Sequence, residues 1–241
     1  MQKHEMQKEE KSRVLVASES KVTMLTIDFV TADIIGISFR GMPGNQPSTY
    51  GNFIAIWQNH NEIPWSASPL AAKPIPNNTP TGSLAFDGLL TTNNDYILGY
   101  SVGPEKAPAD GQKWGNICST AYVPPQGSEP PPDEYFQTKI SIRHIGSTSL
   151  AVQFNTPSGY KPQTNKNWMG LWRGETASYV NPPDYSTPIT VDANFGTAAF
   201  NNINIGRGLT YTVGYFMSGW IGQGQANKQT GLACSVSFTN S

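Results

Sequence analysis

Residues 39–57, FRGMPGNQPSTYGNFIAIW, align without a gap with residues 154–172, FNTPSGYKPQTNKNWMGLW, at an offset of 115 positions. Six of the 19 pairs are identical, namely Phe39/Phe154, Gly44/Gly159, Pro47/Pro162, Thr49/Thr164, Asn52/Asn167 and Trp57/Trp172. The match continues in order through YILGY (96–100) against YTVGY (211–215) and GNICS (115–119) against GLACS (231–235). Ordered blocks at a nearly constant offset mean two copies of one structural unit rather than one large domain. Between them lies PPQGSEPPPD (124–133), whose five prolines forbid a helix or a central strand and favour an extended, semi-rigid linker. The expected organisation is therefore a charged N-terminal arm (1–21), repeat 1 (22–123), the proline-rich linker (124–133) and repeat 2 (134–241).

Within each repeat the apolar residues alternate with period two, the mark of strands with one buried face. Leu25, Ile27 and Phe29 are followed by Ile35, Ile37 and Phe39; the second copy has Ile140, Ile142 and His144, then Leu150, Val152 and Phe154. The next strand, FIAIW (53–57) or WMGLW (168–172), is apolar on both faces, as a central strand requires. Short strands around Leu84/Phe86 and Ala198/Phe200, the YILGY/YTVGY strand and a closing strand (117–123 or 232–238) complete each copy. Six or seven strands in about 100 residues, with frequent turn signals, predict two tandem immunoglobulin-like antiparallel β-sandwiches in an all-β chain.

The motif of Trp168, Gly170 and Trp172, then a Tyr-rich strand some 40 residues on, then Gly231, Ser235 and Phe238, resembles SKICH-type and related immunoglobulin-like (fibronectin III-like) β-sandwich domains. Repeat 1 departs from it, with Phe53, Ala55 and Tyr122 at three of the matching places. The resemblance implies a sandwich fold. It also implies a role as an interaction or localisation module, because such domains serve that role beside other domains.

A net charge of −1 and a pI near 6.3 argue against nucleic-acid or anionic-membrane partners. No apolar run is long enough for a membrane span, and MQKHEMQKEEK has no apolar signal core. A cytoplasmic location in the producing cell is expected, with release by a non-classical route as the alternative. Charge is concentrated at the start: residues 1–21 hold Lys3, Glu5, Lys8, Glu9, Glu10, Lys11, Arg13, Glu19 and Lys21. This arm lacks a broad apolar face, so fraying is expected when it stands alone.

Catalytic signals are sparse. Cys118 and Cys234 hold equivalent positions in separate repeats, which predicts two unpaired, buried thiols. Of the three histidines, His4 falls in the arm, His60 in a loop, and His144 where repeat 1 has Phe29, an expected half-buried packing position. No zinc, α/β-hydrolase or P-loop motif occurs. The run GWIGQG (219–224) opens no helix, and Asp87, Asp95, Asp184 and Asp192 sit at turn-like places. A non-enzymatic protein without cofactor or metal is expected.

Trp65, Trp114 and Trp220 have no aromatic at the matching position of the other copy and lie in long polar connections. With Asn59 and Asn61, with Asn116, and with Gln223 and Gln225 respectively, they form a neutral aromatic-amide mix. Such a mix serves a protein contact or self-association, a sugar face and its hydroxyls, or anchors folded back over the sandwich ends. The function expected is an interaction or self-assembly protein; the alternative is a lectin-like or toxin-like protein that binds cell-surface glycans.

Overall fold

The structure is a computed structural model and describes residues 15–129 and 131–240. In chain order its strands are β1 (Leu15–Ala17), β2 (Lys21–Val22), β3 (Met24–Val30), β4 (Ile35–Arg40), β5 (Phe53–Trp57), β6 (Ala71–Pro74), β7 (Thr81–Phe86), β8 (Tyr96–Ser101) and β9 (Ile117–Val123). They continue as β10 (Tyr135–Gln137), β11 (Lys139–Ile145), β12 (Ser149–Asn155), β13 (Trp168–Arg173), β14 (Tyr185–Pro188), β15 (Phe195–Asn201), β16 (Leu209–Phe216) and β17 (Leu232–Asn240). No helix among the described residues is long and apolar enough to cross a membrane.

The fold is all-β and contains two sandwiches. In repeat 1 the sheet β3-β4-β7 faces β9-β8-β5-β6; in repeat 2 the sheet β11-β12-β15 faces β17-β16-β13-β14. The strand order is the same in both. Residue pattern explains the placement: β12 alternates half-buried and buried along its length, whereas β5, β8 and β9 are buried on both faces. Even a local irregularity is repeated, because β3 and β11 each bulge directly after an isoleucine, between Ile27 and Phe29 and between Ile142 and His144. A bulge turns side chains off the regular pleat. His144 is accordingly exposed, not half-buried as its alignment with Phe29 suggested, and Phe29 itself is 52% exposed.

The two repeats exchange their leading strands. β10, which opens repeat 2, pairs with β9 of repeat 1 (Phe136 opposite Thr120, Gln137 opposite Ser119). β2, at the start of repeat 1, pairs with β17 of repeat 2 (Lys21 opposite Ser235, Val22 opposite Cys234). These registers are related by the 115-residue offset, so the exchange has a pseudo-two-fold axis. At each crossing a buried threonine continues the ladder: Thr23 N–H donates to the Ala233 carbonyl at 3.0 Å, and Thr138 N–H to the Cys118 carbonyl at 2.7 Å.

The chain therefore crosses between repeats at Thr138. The proline-rich segment is a loop between β9 and β10, strands of one sheet, and is tied down by the Gln126 N–H on the Thr91 carbonyl at 3.0 Å. Of the charged arm, residues 1–14 lie outside the described residues. Leu15–Ala17 adds to the far end of β17 (Leu15 opposite Asn240, Ala17 opposite Phe238), so this part is a sheet edge. One apolar cluster runs through both repeats, from Leu25 and Ile54 to Val152 and Tyr215, and contains both thiols, which are unpaired and buried. Burial pushes the Cys118 thiol up to about 12.

Candidate binding cleft at the seam between the repeats

Beyond the exchanged strands, the repeats are joined by a pair of matching aromatic contacts. Gly44 and Gly159 are equivalent residues in the β4–β5 and β12–β13 loops, and both adopt positive φ, 82° and 68°. Trp65, in the β5–β6 loop of repeat 1, lies over Gly159 of repeat 2, with its ring 5.2 Å from that of Tyr160 and its Nε1–H donating to the Ser158 carbonyl at 2.9 Å. Tyr179, in the β13–β14 loop of repeat 2, lies over Gly44 of repeat 1 and stacks on Tyr50 at 5.4 Å. A side chain at either glycine would meet the opposing ring. Tyr179 is thus the aromatic partner of Trp65, hidden from the alignment by a one-residue shift in loop length.

Buried hydrogen bonds reinforce the seam. The Tyr160 hydroxyl reaches the Gly115 carbonyl of repeat 1 at 2.7 Å and accepts from Asn167 Nδ2 at 2.8 Å, while Tyr215 donates to Asn167 Oδ1 at 2.7 Å. Asn165 faces the β8–β9 loop: its Nδ2 donates to Gln112 Oε1 at 2.8 Å, and its Oδ1 accepts from the Gln112 N–H at 2.9 Å. Such a network holds together only when each buried member is matched.

Two residues expected to contact a ligand, Trp65 at 9% and Trp114 at 4% exposure, are committed to internal contacts, which corrects the expectation that their loops present them outward; Asn116 is 5% exposed but belongs to the lining of a cleft. Trp114 packs edge-on against Trp57 at 5.6 Å, and the indole N–H groups of both donate to the Ala67 carbonyl. The β5, β8 and β9 strands are apolar on both faces, so loops must cover the outer one, and Trp114 does this. Asn59 closes its own loop on the Glu62 carbonyl at 2.7 Å, and Asn61 reaches Asp133 at 3.3 Å, tying the proline-rich segment down. Beside them His60 Nδ1 lies 2.9 Å from both Asp95 Oδ2 and the Tyr122 hydroxyl. Burial, with the Asp95 carboxylate beside it, pushes the Tyr122 phenol up to about 12. Burial acts to raise Asp95, but hydrogen bonds from His60 and Tyr122 outweigh it and hold the carboxyl below its ordinary value.

Trp220 behaves differently. It is half-buried against Trp168, and its backbone N–H donates to the Lys166 carbonyl at 3.2 Å. It lines a cleft of about 360 Å³ where the β8–β9 loop of repeat 1 meets the matching β16–β17 loop of repeat 2. Asn116, Lys106, Lys166 and Lys228 share that lining. Lys106 Nζ donates to the Asn165 carbonyl at 2.7 Å and approaches its Oδ1 at 3.2 Å. Burial pushes the Lys106 amine down to about 7; Asp110 opposes this and Lys166 adds to it. Lys166 is itself paired with Asp110 at 3.0 Å, which holds that carboxyl below its ordinary value.

On the other side of the same loop, Gln223 and Gln225 border a second cleft of about 490 Å³ with Tyr179, Tyr185 and Gln229, and Ala226 lines both. The structure thus groups Trp220, Asn116, Gln223 and Gln225 around one loop and leaves Asn59, Asn61, Trp65 and Trp114 elsewhere. Sequence reading missed Lys106, Asn165 and Tyr160. They lie in unrelated-looking loops some 50 residues apart, and the aligned block gave no signal for them, because Tyr160 falls opposite Asn45 and Asn165 opposite Tyr50. Among the described residues no three His, Cys, Asp or Glu side chains come together as metal ligands.

No protein-family model matches the chain, and no curated protein sequence matches it. Among solved structures it is similar to one described as "Biofilm associated protein - BSP domain", at 11% identity and a TM-score of 0.24, over 83% of this chain and 26% of that one.

Proposed function

We propose that this chain is a non-catalytic interaction protein that self-associates, with its two sandwiches acting as one rigid body. The observation that carries this reading is the reciprocal pairing of leading strands on closing strands. The same ladder that β10 makes on β9 inside the chain can be made on β17 by the β1–β2 segment of another copy. Strand exchange of this kind replaces one set of backbone hydrogen bonds with an identical set, so it joins chains at little enthalpic cost. The opposite edges of the same two sheets are guarded: β6 carries Lys73 and ends at Pro74, and β14 ends at Pro188. Light scattering and mass photometry on the full chain, and on a chain lacking residues 1–20, test the reading. Concentration-dependent oligomers that vanish with the truncation are expected; strict monomers of the full chain at high concentration would sink it.

A second reading, glycan binding, is favoured by the half-buried Trp220 between two amide-lined clefts. A flat aromatic that stays partly open beside Asn, Gln and Lys groups suits the apolar face and hydroxyls of a sugar.

A further inference from the structure

We propose that the seam cleft binds an acidic sugar, a hexuronate unit of an anionic glycan, between Lys106 and Trp220. This rests on the glycan-binding reading and names its ligand class.

Three features of the cleft ask for complementary parts of one ligand. Lys106 is largely buried, yet among the described residues no carboxylate lies within ion-pair distance of it. Its nearest polar partners are the two Asn165 oxygens, which leave one N–H of the ammonium form uncommitted. A buried ammonium without a counter-ion is costly, and a ligand carboxylate removes that cost. Asn116 supplies the second feature: its Nδ2 donates to the Pro104 carbonyl at 2.8 Å, but its Oδ1 is buried without a hydrogen-bond partner. Asn116 lines the cleft, and its unmatched acceptor, closed off from solvent as it stands, is satisfied when the amide turns toward a donor in the cleft, which a sugar hydroxyl provides and a simple anion such as sulfate does not. The third is the indole of Trp220, which with the exposed Ile221 forms an apolar wall. A carboxylate, hydroxyls and an apolar ring face occur together in a uronic acid.

The other charges around the site fit this occupant. Lys166 is neutralised by Asp110, Glu105 lies 3.8 Å from Lys113, and Lys228 remains as a second cation on the wall. Both repeats contribute, so the site exists only when the seam is closed. A carboxylate arriving beside Lys106 favours its charged form, so binding draws a proton from solution at neutral pH.

Titration calorimetry of the full chain at pH 7, in two buffers of different ionisation enthalpy, tests the proposal with a trigalacturonate, a neutral maltotriose and sulfate as probes. The uronate should bind with uptake of about half a proton, the proton that an amine titrating near 7 lacks there. Maltotriose should bind weakly and sulfate not at all. Lys106→Met should abolish the proton uptake and lower uronate affinity about 10- to 100-fold, the range of a lost charge-assisted hydrogen bond. Trp220→Ala should lower affinity for both sugars, and Lys228→Glu, an exposed change, should weaken the uronate alone. Equal binding of uronate and maltotriose overturns the acidic-sugar assignment but leaves glycan binding standing. Sulfate binding as tight as uronate reduces the cleft to a plain anion site and also overturns it. If no sugar binds, both the assignment and the glycan reading fall, while self-association is untouched.

Discussion

Replacing Trp65 with alanine separates a seam residue from a surface contact residue by the size of the effect. Its indole is 9% exposed. A tryptophan buries roughly 200 Å², and at about 25 cal/mol per Å² its removal forfeits up to ~5 kcal/mol of burial. The unfolded chain already hides part of that surface, and measured Trp-to-Ala losses in cores are about 3–5 kcal/mol, so ~4 kcal/mol is expected. The lost hydrogen bond to the Ser158 carbonyl adds little, because Ser158 is exposed and water can take the donor's place. For a chain of this size, each kcal/mol moves the midpoint by about 2–4 °C, so thermal unfolding should fall by roughly 10 °C. Differential scanning calorimetry measures this, with Trp220→Ala, half-buried at the cleft, as a control expected to shift less. Since Trp65 joins the repeats, the weakened seam should also broaden the transition or split it in two. An exposed contact residue costs no more than about 0.5 kcal/mol. A shift below about 2 °C with an unchanged single transition would refute the seam assignment.

The paired glycines give a graded version of the same test. Gly159→Ala and Gly44→Ala both strain a positive-φ position, at about 1–2 kcal/mol. A Cβ at 159 would also sit 3.0 Å from Trp65 Nε1, against 3.6 Å from Tyr179 at 44, so urea midpoints should fall further for Gly159→Ala. Lys106 makes stability depend on pH in a direction the structure fixes. Its folded pKa of about 7 lies below the 10.5 of an ordinary lysine, so above pH 7 the unfolded chain binds more protons and stability rises with pH. Between pH 7 and 8, before thiols and phenols titrate in the unfolded chain, the slope from this residue should approach about 1 kcal/mol per unit. In urea titrations across that window Lys106→Met should be flatter than the parent chain, and an equal slope in both would remove Lys106 as the cause.

The duplication, the strand pattern and the buried thiols were legible because each rests on local chemistry. Alternating Ile, Leu and Phe mark a strand wherever it lies, and a single cysteine per copy has no partner in its own repeat. The registers nevertheless set Cys234 opposite Tyr215 where repeat 1 has Ser119 opposite Tyr100, so the two thiols are one residue out of step rather than equivalent. Doubly apolar strands such as FIAIW (53–57) also announced that something must cover their outer face. The sequence did not say what. Trp114 reads as an exposed loop residue because its neighbours are Gly and Asn, yet it is the cover for Trp57 and Phe53. Trp65 looked unmatched because a one-residue difference in loop length breaks the alignment, while its ring and that of Tyr179 still arrive over equivalent glycines.

What the sequence by itself determined is two copies of a charge-poor, antiparallel sandwich, with apolar period-two strands and proline-broken connections. Only the tertiary structure decided that the copies exchange leading strands at Thr23 and Thr138, and that the proline-rich segment is a loop on repeat 1. It alone brought Lys106, Asn116 and Trp220 to one cleft. The reason is that β-pairing between distant segments depends on which edge lies open nearby, and a cleft built from three loops depends on where rigid sheets hold their ends. Neither quantity is written in the spacing of residues along the chain.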